Sequence, residues 1–205
     1  FADVITYESE NTDVEVVREI SKNVPVYPGE KSLFTTQHRG REKALFDQLN
    51  IPCAPYQMVS SEQDLIDAVN TIGLPAILKT ATEGYDGKGQ VLLHGPEDLV
   101  SAWNSMRNSP SIVEGFVPHT REISIIAARR PNGETVFYPL SENSHSQGIL
   151  RVSRCCIDDP KQHEAEQYLA RIMEELDYVG TIALELFEVQ GQLLANEFAD
   201  RKSVV

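Results

Sequence analysis

The stretch AILKTATEGYDGKGQVLL, from Ala76 to Leu93, holds two short apolar runs on either side of a glycine-rich segment. Ala76, Ile77 and Leu78 are too few for a buried helix, as are Val91, Leu92 and Leu93, so each run predicts a strand of a small sheet. Lys79 closes the first strand. Gly84, Gly87 and Gly89 permit positive φ and let backbone N–H groups approach a ligand without side chains in the way, which suits an anion. Their spacing, G-x-x-G-x-G, is neither the dinucleotide fingerprint nor a P-loop. The glycines alone fit an ordinary hairpin as well as a phosphate loop. A lysine at the strand end immediately before them shifts the reading toward phosphate.

Around this stretch, 205 residues suffice for one sizeable domain or two small ones sharing a cleft. With 41% hydrophobic and 24% charged residues the composition is that of a globular enzyme. No apolar run approaches the roughly 20 residues of a membrane span. A net charge of −13 argues against wrapping nucleic acid, which needs clustered Lys and Arg. Cys53, Cys155 and Cys156 lack C-x-x-C spacing and no signal peptide precedes them, so the expected setting is a reducing cytoplasm.

On the amino-terminal side, Phe1–Glu10 predicts a strand (over Ala2–Tyr7) followed by the carboxylates Glu8 and Glu10, and Asp13–Asn23 has helical spacing through Val16, Val17 and Ile20. Thr35–Leu49 predicts one helix with Leu45, Phe46 and Leu49 on one face, and Arg39, Arg41 and Lys43 on a solvated face. Ser60 and Ser61 are candidate caps for a helix that Gly73 and Pro75 stop. A second helix runs from Gly95-Pro96 through Trp103 to Met106, and Ser111–Glu114 predicts a further strand. Glu114–Val117 then leaves that strand as a connector whose backbone groups, not consumed by a sheet, could read an adenine edge.

Beyond it, Glu122–Arg129, Thr135–Pro139 and Gly148–Ser153 predict antiparallel strands, separated in part by a polar loop holding Glu142, Asn143 and His145. Ala165, Leu169, Ile172, Met173 and Leu176 mark an amphipathic helix. Thr181–Glu188 and Gln192–Phe198 predict a hairpin around Gln190-Gly191. If it is symmetric about Gly191, Glu185 faces Glu197. Like charges so close are destabilising unless a cation bridges them, and magnesium, an oxygen-seeking ion, is the natural candidate. A two-residue turn would instead shift the register by one and turn the two carboxylates to opposite faces.

Together, TYESEN near the start, GYDGKGQ in the loop, VFYPLSENSHSQGIL and ANEFADR at the end resemble the ATP-grasp ligases, specifically the 5-(carboxyamino)imidazole ribonucleotide synthase family. The resemblance implies an α+β fold of two lobes with ATP between them: 1–50 as the end of an α/β amino-terminal domain with a connecting helix, 51–117 as the small lobe and 118–205 as the large one. It implies that magnesium-ATP phosphorylates bicarbonate to carboxyphosphate, whose carboxyl group passes to aminoimidazole ribonucleotide in purine biosynthesis, in a cytoplasmic homodimer acting on small molecules, with no nucleic acid or membrane partner. It assigns ATP to Arg39, Lys79, Gly84, Tyr85, Asp86, Gly87, Lys88, Gly89, Gln90, Glu114, Gly115, Phe116, Val117, Glu122, His145, Asn196 and Glu197. Lys79 and Arg201 are its catalytic candidates. Glu8 or Glu10, with Tyr85, Asp86 and Lys88, would face the ribonucleotide, and Glu185 and Glu197 would hold magnesium.

Three departures stand out. Glu83 replaces a glycine, Asp200 replaces a proline, and KSVV follows Arg201 where the family continues into a His-Asn-Ser segment. Because it opens on Phe1 with a strand already in progress and stops just after the last motif, the sequence is expected to be cut at both ends and to bind ATP better than it completes a turnover. A formate-using glycinamide ribonucleotide transformylase and a non-catalytic ATP-binding fragment are the alternatives.

Overall fold

The computed structural model describes residues 2–82, 89–107, 109–146 and 149–200. Helix α1 (Val14–Ser21) starts where the Asp13 carboxylate accepts from the Glu15 N–H at 2.9 Å. The strand expected over Ala2–Tyr7 reduces to one parallel bridge between Ile5 and Val26. Its partner is punctuated by Pro25 and Pro28, which have no N–H to extend a ladder.

The single helix expected over Thr35–Leu49 is two, α2 (Glu30–Thr36) and α3 (Arg39–Gln48). His38 is extended between them, and its Nδ1 accepts from the Gly40 N–H at 3.1 Å, so a histidine does the capping normally given to Ser, Thr, Asp or Asn.

A four-stranded antiparallel sheet follows, in the order β1-β4-β2-β3. Its strands are β1 (Tyr56–Val59), β2 (Ala76–Thr80), β3 (Gln90–Leu93) and β4 (Ser111–Gly115). Helix α4 (Glu62–Ile72) is capped as expected by Ser61, whose Oγ accepts from the Asp64 N–H at 3.1 Å. With α5 (Leu99–Ser105) it buries Leu65, Val69 and Trp103 against Leu78, Leu93 and Val113.

The second sheet has the order β10-β9-β5-β7-β8, with β6 beside β5, and its pairings are antiparallel. It comprises β5 (Arg121–Arg129), β6 (Thr135–Phe137), β7 (Leu140–Ser146), β8 (Ile149–Cys156), β9 (Gly180–Val189) and β10 (Gln192–Asp200). Alternation decides its two faces. Ile123, Ile125 and Ala127 on β5 and Ile182, Leu184 and Leu186 on β9 point into a core covered by helix α6 (Gln162–Glu175). Each aliphatic side chain buried there, Leu169 and Ile172 of α6 included, contributes about 1.5–3 kcal/mol relative to exposure. Leu45 and Phe46 of α3 join the same core.

The polar stretch with Glu142, Asn143 and His145 is not a loop but most of β7. Its side chains find polar partners: Asn143 donates to Ser124 Oγ at 3.1 Å and accepts from Ser153 Oγ at 2.9 Å.

Candidate functional site

The face of the large sheet away from α6 carries Glu122 and Ser124 of β5 and Glu185 and Phe187 of β9, because each neighbours a core residue in a strand of period two. Ser124 lies directly opposite Glu185. The β9–β10 connection is the two-residue turn Gln190-Gly191, with φ of 50° and 79°, so Gln192 pairs with Val189 and Ala195 with Leu186. That register alone would send Glu197 into the core. A β-bulge between Ala195 and Phe198 adds one residue, after which Phe198 pairs with Leu184. Leu193, Ala195 and Phe198 are therefore the core-facing residues of β10.

The result at Glu185 is the crowding expected of facing carboxylates, though by a different route from a hairpin symmetric about Gly191. Burial, then the charge of Glu197, then that of Glu122 push the Glu185 carboxyl up to about 7, against a hydrogen bond from the Asn196 side chain and the charge of Lys79.

A second cluster joins the two sheets. Lys79 Nζ and Lys43 Nζ each lie 3.2 Å from the same oxygen of Glu114, and Lys43 also donates to the Asn196 carbonyl at 2.8 Å. Burial works to raise the Glu114 carboxyl, but the charges of Lys79 and then Lys43 hold it below the ordinary value. The Lys43 side chain is only 3% exposed, so it does not belong to a solvated face; Lys79, at 12%, keeps an opening. Arg39 is half-buried, its backbone N–H donating to Ala81 O at 2.9 Å and its guanidinium to Thr80 O at 2.8 Å. It thus sits where β2 enters the glycine segment. At the far side Thr80 N–H donates to Gly89 O at 2.9 Å, and a Cβ on Gly89, at φ +71°, would meet Thr80 Oγ1 at 2.9 Å. Gln90 is exposed and pairs with Lys79. Glu83, Gly84, Tyr85, Asp86, Gly87, Lys88 and Arg201 lie outside the described residues.

The connector departs from expectation. Glu114 is paired on both sides, with Tyr56 and Ile77, while Gly115 N–H donates to Pro55 O at 2.9 Å and Phe116 N–H to Pro75 O at 3.1 Å. β4 is a central strand, so these groups are consumed, and the Glu114 side chain points inward to the lysines. Past Val117, His119 stacks on Phe187 with ring centroids 4.7 Å apart, and its Nε2 lies 3.3 Å from Glu122 Oε1. His145 Nδ1 pairs with the other Glu122 oxygen. Glu122 and His145 are thereby brought together, one strand from Glu185. Glu8 is exposed, and the Glu10 carbonyl accepts from Gln37 Nε2 at 2.6 Å, which ties that segment to the α2–α3 junction.

Among the described residues no three His, Cys, Asp or Glu side chains converge as a complete metal cage. Two neighbouring carboxylates nevertheless suit magnesium, which takes its other ligands from water and phosphate.

The sequence reading missed Glu42 and misplaced Lys43 on a solvated face. Glu42 is buried and accepts from the Phe198 N–H at 3.1 Å. Burial and then the charge of Glu197 push it well above the ordinary value, against the Phe198 N–H, Lys43 and Arg39. The signal was present: residues 42, 45, 46 and 49 have the spacing of one helix face, so Glu42 stands on the apolar stripe.

Comparison with known proteins agrees with this architecture. The ATP-grasp domain matches residues 44–203. N5-carboxyaminoimidazole ribonucleotide synthase of Pseudomonas aeruginosa is 47% identical over 199 residues, covering 97% of this chain and 55% of that protein. The crystal structure of N5-carboxyaminoimidazole ribonucleotide synthetase from Thermus thermophilus superposes with a TM-score of 0.88 at 42% identity, covering 96% of this chain and 54% of its own. The Staphylococcus aureus N5-carboxyaminoimidazole synthetase complexed with ADP gives 0.94 at 30% identity, covering 99% and 55%. The chain spans about half the length of the curated relatives it matches. The domain match over residues 44–203, most of the sequence, places the chain in the ATP-grasp family.

Proposed function

We propose that this chain is the nucleotide-binding part of an enzyme that uses ATP to carboxylate aminoimidazole ribonucleotide with bicarbonate, releasing ADP and phosphate. The observation carrying the nucleotide half is the bulge in β10 that brings Glu197 to the Glu185 face of the large sheet, where burial and the charge of Glu197 push the Glu185 carboxyl up. Its choice of reaction is supported by likeness to proteins bearing that synthase name, at up to 47% identity.

In this reading bicarbonate oxygen attacks the terminal phosphorus and ADP departs. The ribonucleotide amine then takes the carboxyl carbon of carboxyphosphate, directly or as released CO₂, losing a proton while phosphate leaves. Lys79 and Arg39 neutralise phosphate charge, Gly84–Gln90 is the phosphate-binding segment, and Glu114–Val117 borders the base. Glu122, oriented by His119 and His145, receives the ribose hydroxyls. Magnesium, held by Glu185 and Glu197 with Asn196 beside them, would supply charge neutralisation and orientation of the phosphates. Glu8 or Glu10, Tyr85, Asp86, Lys88 and Arg201 serve the acceptor and the transferred group. The division into 1–50, 51–117 and 118–205 belongs to the same proposal, as do a homodimer and a cytoplasmic location; no helix among the described residues is long and apolar enough to cross a membrane.

The test measures ADP release with bicarbonate and aminoimidazole ribonucleotide, and separately with formate and glycinamide ribonucleotide. The reading expects slow release in the first mixture, with little carboxylated product, because the chain is read as the nucleotide-binding part. Release only with formate would assign the transformylase chemistry; nucleotide binding without release in either would leave a binding fragment.

A further inference from the structure

The backbone on either side of Glu197 is held from outside its own sheet. A bulge leaves strand groups without ladder partners, and buried groups of that kind must be satisfied elsewhere. Here helix α3 satisfies two of them: Glu42 Oε1 accepts from the Phe198 N–H at 3.1 Å, and Lys43 Nζ donates to the Asn196 carbonyl at 2.8 Å. One turn further along α3, the Phe46 ring meets Phe198 edge-on with centroids 6.0 Å apart. Three side chains of one helix therefore grip the two residues that flank Glu197, and both polar ones are buried, at 5% and 2% exposure. The same helix reaches the other half of the site. Lys43 shares Glu114 with Lys79, and Arg39 bonds to the carbonyls of Thr80 and Ala81.

From this geometry we propose that Glu42 and Lys43 are positioning residues: they fix the β10 bulge so that Glu197 stands beside Glu185, and they tie that carboxylate pair to Lys79 through a single rigid helix. A buried carboxylic acid on an apolar helix face is costly unless its hydrogen bonds are used, and the bulge N–H is where this one is used. Lys43 likewise spends its donors on Glu114 and the Asn196 carbonyl. Neither residue needs to touch nucleotide or metal. Each acts through the backbone that carries the Glu197 carboxylate, and a shift of about 1 Å in such a carboxylate is enough to weaken a positioned site severely.

The inference rests on the reading of Glu185 and Glu197 as a magnesium pair, and the experiment separates the two. Mn²⁺, which shares magnesium's preference for oxygen ligands, is titrated by electron paramagnetic resonance in the presence of a non-hydrolysable ATP analogue. The proteins compared are wild type, Glu197→Gln, Glu42→Gln and Glu42→Leu, and amide exchange at Phe198 is followed in each. A Glu197→Gln protein with unchanged Mn²⁺ affinity would overturn the metal reading and this inference with it. Given a loss there, Glu42→Gln, which keeps an acceptor for the Phe198 N–H, is expected to stay within threefold of wild type in affinity and exchange. Glu42→Leu is expected to lose at least tenfold in Mn²⁺ affinity, with faster Phe198 exchange and metal-free nucleotide binding within threefold. A folded Glu42→Leu protein with wild-type affinity would overturn the inference. If Glu42→Leu does not fold, Glu42→Gln decides alone: wild-type affinity supports positioning through the acceptor, and a tenfold loss contradicts it.

Discussion

Lys79 is the clearest case of a residue readable in sequence whose surroundings were not. Its place at a strand end before glycines is the ground for proposing it as a phosphate ligand, but its sharing of Glu114 with Lys43 needs α3 folded against β4. Replacing Lys79 by alanine should weaken ATP binding roughly 10- to 100-fold, the worth of one hydrogen bond to a charged group, with the circular dichroism spectrum intact. Unchanged calorimetric affinity in a folded variant would contradict its role. Glu185 gives a prediction of opposite sense for stability. Its folded-state value near 7 exceeds the ordinary 4.5, so the folded chain keeps the proton longer, and metal-free stability falls as pH rises between those values. Glu185→Gln should therefore raise metal-free stability at pH 8 by on the order of 2–3 kcal/mol, measured by urea unfolding, while removing the stabilisation that magnesium-ATP gives the wild type. A less stable variant at pH 8 would refute the crowding.

Among the elements, those whose determinants lie within a few residues were legible. Ser61 caps α4, Gly73 ends it, and the stripe Ala165, Leu169, Ile172 and Met173 is the buried face of α6. Elements with distant determinants were not. Strand β7 is polar because Asn143 bonds across to Ser124 and Ser153, partners that exist only once the sheet is assembled. The bulge that turns Glu197 toward Glu185 depends on α3, whose Glu42 lies 156 residues before Phe198 in sequence. The turn before it is local and testable. Gly191 has φ +79° in open space, so Gly191→Ala should cost about 1–2 kcal/mol of stability through left-handed strain alone. A neutral result in chemical denaturation would show that the turn relaxes to another geometry.

At the scale of the molecule, two sheets with separate cores are joined through contacts that include the Lys43–Glu114–Lys79 cluster, the Arg39 bonds to Thr80 and Ala81, and a bridge between Cys53 and Ala195 where Ala195 N–H donates to Pro52 O at 2.7 Å. Glu114→Gln would leave two cations around a neutral amide. It should destabilise the chain by about 3–5 kcal/mol, the loss seen when one partner of a buried ion pair is removed; denaturant unfolding would reveal it, and a change below about 1 kcal/mol would mean the cluster is solvated. The account as a whole turns on where the nucleotide and its cation sit. A crystal structure with magnesium and a non-hydrolysable ATP analogue decides this: the account predicts one cation held between the carboxylates of Glu185 and Glu197, with phosphate oxygens within hydrogen-bonding distance of Lys79. A nucleotide bound away from Lys79, or a cation that leaves both carboxylates untouched, would contradict it.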